Sequence, residues 1–264
     1  LAAEGHTVET IPVTPGGWVD PAEVAARLRP ETFLVAVMHV NNETGIVQPV
    51  DRIARVVKAH DPGCRMLIDA VQSFGKLELT PEALGADLLT ISAHKIHGPK
   101  GSGCLFVAPG LKLAPLWRGG DQEGRQRPGT ENVAGIVGLA RATELARFDE
   151  QRLRAWAARI EAAVIGAQPR AYAVGDADRR APQIITLALP GLPAETVVNA
   201  LGERGVFVSS GSACHSRRTS HSRVMQALGL PEDHGVIRVS FGRLTEAAAV
   251  ERAAGLIEAT LKAL

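Results

Sequence analysis

The sequence predicts an α/β fold: a mainly parallel sheet with its helices in the first part of the chain, followed by a smaller α+β domain. Two observations carry this. Residues 32–107 alternate short β-rich runs with helical stretches, the pattern of strands joined by crossovers. Beyond a long helical stretch over 131–164 the character changes, with short strands at 184–189, 206–209 and 236–241 interleaved with helices. The expected domains are 1–150 and 151–264.

The elements follow in chain order. Leu1-Ala2-Ala3-Glu4-Gly5-His6 reads as the tail of a helix running into a strand over 7–13. A helix tail at the start, with no initiator Met and no signal-type apolar stretch, leads to the expectation that Leu1 is not the native start. A helix is expected over 21–28, with Asp20 as N-cap and Pro21 in the first helical position, where its missing N–H is no loss. The near-continuous apolar run 32–38 suits a strand buried on both faces. Residues 50–59 read as a helix, 65–69 as a strand ending in a carboxylate, and 87–92 and 103–107 as further strands. A segment rich in Gly, Arg and Pro spans 118–130 and leads into the 131–164 stretch, continuous or broken. Helices are expected later at 194–204, 222–228 and 245–264.

Composition narrows the function. Of 264 residues 45% are hydrophobic, enough for a substantial core. The 29 basic and 28 acidic residues leave a net charge of +1, which offers no electrostatic footprint for nucleic acid or a membrane surface. No apolar run approaches the ~20 residues needed to cross a bilayer. The 3 cysteines are too few, and odd in number, for a disulfide-stapled secreted fold, so a reducing, cytoplasmic setting is expected.

Several residues can carry chemistry. Lys95, in Ser92-Ala93-His94-Lys95, lies just past a predicted strand end, where ligand sites in open α/β sheets gather. A lysine there can form a Schiff base with a carbonyl ligand, although a surface lysine in a loop reads the same way. Asp69 ends the apolar run Met66-Leu67-Ile68, and a carboxylate at the end of a buried strand needs a partner. A helix cap or an ordinary ion pair also satisfies it. Asn41-Asn42-Glu43-Thr44-Gly45 follows a strand and can hold polar ligand atoms or simply turn the chain. Cys214 lies in a small, polar segment with His215, Arg217 and Arg218, a setting that lowers a thiol pKa. By contrast, Cys104 reads as a small core residue inside a strand, and Cys64 lies in a turn with only Arg65 to activate it. A zinc reading of Cys214, His215 and His221 matches no standard ligand spacing. Strand alternation places Arg238 and Ser240 on one face, opposite Ile237, Val239 and Phe241. Such an arginine can grip a carboxylate with two parallel hydrogen bonds or make a surface ion pair.

Taken together these segments resemble the cysteine desulfurases of the class V, fold-type I pyridoxal-phosphate (PLP) enzymes, the IscS/NifS group. The similarity rests on six segments in family order: His39-Val40-Asn41-Asn42-Glu43-Thr44-Gly45, Asp69-Ala70-Val71-Gln72-Ser73, Ser92-Ala93-His94-Lys95 with the glycines after it, Arg127-Pro128-Gly129-Thr130-Glu131-Asn132, Ser210-Gly211-Ser212-Ala213-Cys214, and Ile237-Arg238-Val239-Ser240-Phe241-Gly242. The resemblance implies a seven-stranded PLP-transferase large domain, incomplete at its N-terminus, because the family's phosphate-binding Gly/Thr loop and ring-stacking histidine have no counterpart here. It implies that Lys95 carries the cofactor and moves protons, with His94 as a further catalytic residue. Asp69 pairs with the pyridine nitrogen, and Gln72 and Asn41 address the ring oxygen. Ser92 and His94 hold the phosphate, joined by Thr130 from a second subunit of a homodimer. Arg238, with Asn41, binds the carboxylate of L-cysteine, and Cys214 takes the sulfur as a persulfide while alanine leaves. The sulfur then passes to an acceptor protein serving iron–sulfur cluster, thio-cofactor or tRNA biosynthesis. Other class V enzymes (a selenocysteine lyase or small-amino-acid aminotransferase) and a non-catalytic truncated scaffold are the alternatives. A yellow, PLP-loaded protein separates the enzymes from the scaffold.

Overall fold

The computed structural model describes residues 1–210 and 222–264, so Cys214, His215 and His221 lie outside the described residues. The elements run α1 (Pro21–Arg27), β1 (Leu34–Met38), α2 (Val50–His60), β2 (Arg65–Asp69), α3 (Pro81–Leu84), β3 (Leu88–Ser92), β4 (Gly103–Val107) and α4 (Val133–Leu145). They continue with α5 (Glu150–Ala167), β5 (Tyr172–Ala173), β6 (Ile184–Pro190), α6 (Ala194–Glu203), α7 (Arg223–Ala227), β7 (His234–Ser240) and α8 (Ala247–Ala263). Local chemistry sets many of these boundaries. Asp20 accepts from Ala22 N at 2.9 Å and starts α1, with Pro21 in the first turn. The helical stretch expected over 131–164 is two helices, each with its own cap. Asn132 accepts from Gly135 N at 3.1 Å, and Asp149 accepts from Arg152 N at 3.0 Å.

The chain forms two compact units that are discontinuous in sequence. One comprises Pro30–His39 and Val50–Arg147 and holds a four-stranded sheet in the order β1-β2-β3-β4. The β1–β2 and β2–β3 pairs are parallel, and β4 runs antiparallel to β3. The sheet is thus mainly parallel, with four strands among the described residues where the family resemblance implies seven. Met66 and Ile68 of β2 are fully buried, as expected of a strand with neighbours on both sides. Asp87 anchors the entry to β2 and β3. Its buried carboxylate accepts from Lys58 Nζ at 2.7 Å, from Met66 N at 2.8 Å and from Arg65 Nη1 at 3.2 Å. Burial pushes its pKa up, but these donors outweigh burial and hold it below the usual carboxylate value.

Two expectations fail at the edges of this sheet. β1 is only partly buried rather than covered on both faces, because it stands at the end of the strand order with a single ladder neighbour. Cys104 is exposed rather than a core residue, because β4 is the opposite edge and its first three residues face solvent.

The other unit comprises Leu1–Arg29, Val40–Pro49 and Phe148–Leu264. Its antiparallel sheet has the order β5-β6-β7. Ile185, Leu187 and Ile237 of the sheet pack with Leu153 and Ile160 of α5, Leu201 of α6 and Ile257 of α8. Each fully buried aliphatic side chain of this kind stabilises the fold by about 1.5–3 kcal/mol. Residues 7–13 form no ladder with any described strand; the segment is held from the side by ion pairs of Glu9 with Arg27 and Arg29. The strand expected over 206–209 reduces to one bridge, between Ser209 and Arg238. Among the described residues no helix is long and apolar enough to cross a membrane.

Candidate functional site

The first unit gathers Asp69, Gln72, Ser92, His94 and Lys95 at the carboxyl ends of two adjacent parallel strands. Asp69 is the last residue of β2, and its carboxylate oxygen Oδ1 accepts from Val71 N at 2.9 Å, which turns the chain out of the sheet. Gln72 follows in that turn and is buried. Ser92 ends β3 and precedes a 3-10 helix, Ala93–Ile96, that carries His94 and Lys95. Ala93 and Ile96 are buried while His94 and Lys95 are exposed, so the short helix is anchored by its apolar pair and presents its polar pair. His97 closes it at φ 65, in the left-handed region that side chains other than glycine rarely adopt, and such outliers concentrate at functional turns. Glycines let α4 lie against this turn. A Cβ on Gly98 would meet Ala142 Cβ at 3.0 Å, and one on Gly138 would meet Pro99 Cγ at 2.4 Å. Thr130 lies in the loop before α4 and is exposed.

Two further residues belong to this neighbourhood and escape sequence reasoning. Burial, reinforced by the charge of Lys95, pulls the Lys76 ammonium down from its ordinary value to about 8. Its signal in sequence is weak, a single Lys between Gly75 and Leu77. His39 directly follows β1, and its backbone N–H donates to Asp69 O at 2.8 Å. Its ring is buried, and Nδ1 has no hydrogen-bond partner among the described residues. Burial lowers its pKa from 6.5 to about 4 against the opposing charge of Asp51. The folded protein therefore refuses a proton that the unfolded chain accepts, and stability falls as pH drops from 6.5 towards about 4. In urea titrations at about pH 7 and about pH 5, the parent is expected to lose about 2 kcal/mol more than His39→Gln. Parallel losses in the two proteins contradict this assignment.

The second unit holds Asn41 and Arg238. Asn41 Oδ1 accepts from Glu43 N and Thr44 N, both at 2.9 Å, and from Thr44 Oγ1 at 3.2 Å. The carbonyl end of the amide is thus used by the turn, and the NH2 end is the one left to meet a ligand. Gly45 closes the turn at φ 76, where an added Cβ would stand 3.0 Å from Ile184 Cβ. Arg238, in the middle of β7, donates from Nη1 to Asn42 O at 2.7 Å and from Nη2 to Ser209 Oγ at 3.3 Å. Its buried Nε has no hydrogen-bond partner among the described residues. The Nε–Nη2 edge, with one long contact and one open donor, is the edge that a carboxylate fits. Burial lowers the pKa of this guanidinium, and the negative Glu43 works against that. Glu43 was missed in sequence because it sits inside a turn motif that explains itself.

Comparison with known proteins bears on both groups. The sequence pattern described as Aminotransferase class-V matches residues 1–253. The chain belongs to the class V aminotransferase family. It is 40% identical over 261 residues to a protein of Nostoc sp. named cysteine desulfurase, covering 96% of this chain and 64% of the relative. It is 36% identical over 258 residues to cysteine desulfurase NifS of Azotobacter vinelandii, again covering 96% of this chain and 64% of the relative. Among solved structures, a NifS-like protein superposes with a TM-score of 0.90 at 31% identity, over 100% of this chain and 70% of that one. A protein called SspA, solved in complex with cysteine, gives a TM-score of 0.76 at 32% identity, over 91% of this chain and 67% of that one. The chain thus spans 64% of the length of these curated relatives.

Class V aminotransferases are PLP-dependent enzymes. The residues of the first unit fit that cofactor by their donor chemistry. There is an exposed primary amine for a carbonyl carbon, a carboxylate at a strand end for a cationic ring nitrogen, and a hydroxyl with an imidazole for a phosphate.

Proposed function

We propose that this chain is the greater part of a PLP-dependent cysteine desulfurase that converts L-cysteine to L-alanine and leaves a persulfide on Cys214. The observation that carries the reading is the gathering of Asp69, Gln72, Ser92, His94 and Lys95 at the carboxyl ends of β2 and β3. The names of the relatives and the cysteine-bound SspA support the choice of substrate.

PLP, when bound, supplies the electron sink that makes bonds at the substrate's Cα and Cβ breakable. Lys95 Nζ would hold its carbonyl carbon and is the amine placed to move a proton at the substrate's Cα. The Asp69 carboxylate would pair with the ring nitrogen. Gln72 and the Asn41 amide would donate to the ring oxygen, and Ser92 and His94 would bind the phosphate. Thr130, exposed on its loop, would reach the phosphate of a second subunit in a homodimer. Arg238 receives the substrate carboxylate on its Nε–Nη2 edge, assisted by Asn41. The Cys214 thiolate attacks the substrate sulfur. A sulfur–sulfur bond forms, the Cβ–S bond breaks, and a proton on Cβ completes alanine. The sulfur then goes to an acceptor protein in a reducing, cytoplasmic setting, for iron–sulfur cluster, thio-cofactor or tRNA biosynthesis.

The test is release of sulfide and alanine from L-cysteine by the complete reading frame, with PLP and a thiol reductant. Equimolar release is expected. A yellow protein that binds PLP and releases no sulfide overturns the desulfurase reading, and a colourless one overturns the cofactor reading with it.

A further inference from the structure

The turn at 41–45 makes three hydrogen bonds to three different elements of its own unit. The Asn42 carbonyl accepts from Arg238 Nη1 on β7 at 2.7 Å. The Glu43 carbonyl accepts from Thr186 Oγ1 on β6 at 2.5 Å, and Thr186 is the residue directly opposite Arg238 in the sheet. The Glu43 carboxylate, almost fully buried, accepts from Ser222 Oγ at 2.5 Å. Ser222 is the N-cap of α7, its hydroxyl accepting from Met225 N at 3.3 Å. On the other side, Ser209 exchanges backbone hydrogen bonds of 3.1 and 2.7 Å with Arg238 besides receiving its Nη2. Ser209 and Ser222 flank the cysteine-bearing stretch in sequence. One flank is therefore tied to the half-buried Arg238 and the other to the buried Glu43, whose charge acts on Arg238.

A buried carboxylate is costly unless its hydrogen bonds are filled and its charge offset. A glutamate placed only to turn the chain needs no burial, because the turn is already made by Asn41 and Gly45. From this we infer that Glu43 is a positioning residue. It holds Arg238 through the Asn42 carbonyl and through its own charge, and it holds the start of α7 through Ser222. The turn thereby braces the carboxylate-binding arginine against both flanks of the Cys214 stretch. The inference rests on the reading of Arg238 as the substrate arginine and of Cys214 as the sulfur acceptor.

Glu43→Ala, Glu43→Gln and Ser222→Ala test it, each with two readouts. In the PLP-loaded enzyme, Glu43→Ala is expected to raise KM for L-cysteine about tenfold with kcat changed less than about threefold. Gln keeps the acceptor for Ser222 but not the charge toward Arg238, so it should restore slow alkylation and only part of the KM. In the cofactor-free protein, alkylation of Cys214 by iodoacetamide, followed by peptide mass, should be at least about threefold faster in Glu43→Ala and Ser222→Ala than in the parent. The double variant should be no faster than the quicker single one, since both changes cut one link. Unchanged KM and alkylation in all variants overturn the brace while parent turnover still upholds the desulfurase reading. A Gln variant alkylated as fast as Ala also overturns it. Faster alkylation in the variants, with a parent that never releases sulfide, would sink the desulfurase reading and leave the brace standing. Should Glu43→Ala fail to fold, Ser222→Ala decides alone on alkylation, because it leaves the carboxylate in place.

Discussion

Lys95→Ala is expected to abolish turnover, by at least about 10³-fold, and to remove covalently held PLP while the fold stays intact. Lys95 is exposed on a 3-10 helix anchored by Ala93 and Ile96, so truncating it deletes no packing and should move stability by less than about 0.5 kcal/mol. The loss arises because a single amine performs two tasks, holding the cofactor and moving a proton. The other amines nearby are badly placed to replace it. Lys76 is held with its Nζ buried, and Lys100 lies beyond the Gly98-Pro99 turn. Borohydride reduction of the parent followed by peptide mass should place the cofactor on Lys95. Label on Lys76 or Lys100 instead would refute the assignment. Asp69, Gln72, Ser92 and His94 survive in the variant, so it should still take up PLP that dialysis removes.

What could be seen in the sequence divides along a physical line. Signals that act over a few residues were legible. Asp20 and Pro21 start α1, Asp69 ends β2, and Arg238 faces away from the Ile237 and Phe241 side of β7. Lys95 was placed past a strand end, although the short helix that displays it has no periodicity to announce it. Signals that depend on which element lies beside which were not legible. Cys104 has the apolar surroundings of a core residue and becomes exposed only because β4 is an edge. The 7–13 and 206–209 runs have strand composition but lack a full ladder in the described residues, and composition cannot supply a neighbour. Glu43 and Lys76 were hidden for a related reason. Their importance lies in burial and in charges brought close by the fold, Arg238 for one and Lys95 for the other.

Cys214→Ala should remove sulfide release by at least about 10³-fold while leaving the yellow colour of bound PLP unchanged. The prediction is sharp because the chain has 3 cysteines in three different settings. Cys64 is buried, and burial raises its thiol pKa despite the nearby Lys58, so little thiolate is available and no substrate can reach it. Cys104 is exposed, but it sits on an edge strand opposite Ile91 with no cationic neighbour within its ladder. Cys214 lies outside the described residues, and its case rests on the adjacent His215, Arg217 and Arg218, which favour the thiolate. Cys104→Ser should therefore turn over like the parent. After one equivalent of L-cysteine without reductant, intact mass should show one added sulfur on the parent and on Cys104→Ser, and none on Cys214→Ala. Sulfide release that persists in Cys214→Ala would mean that the Cβ–S bond breaks without a protein thiol, the behaviour of a lyase. A transaminase would instead consume L-cysteine in all three proteins with no sulfur retained and no sulfide released, so the masses and sulfide release together separate the three chemistries.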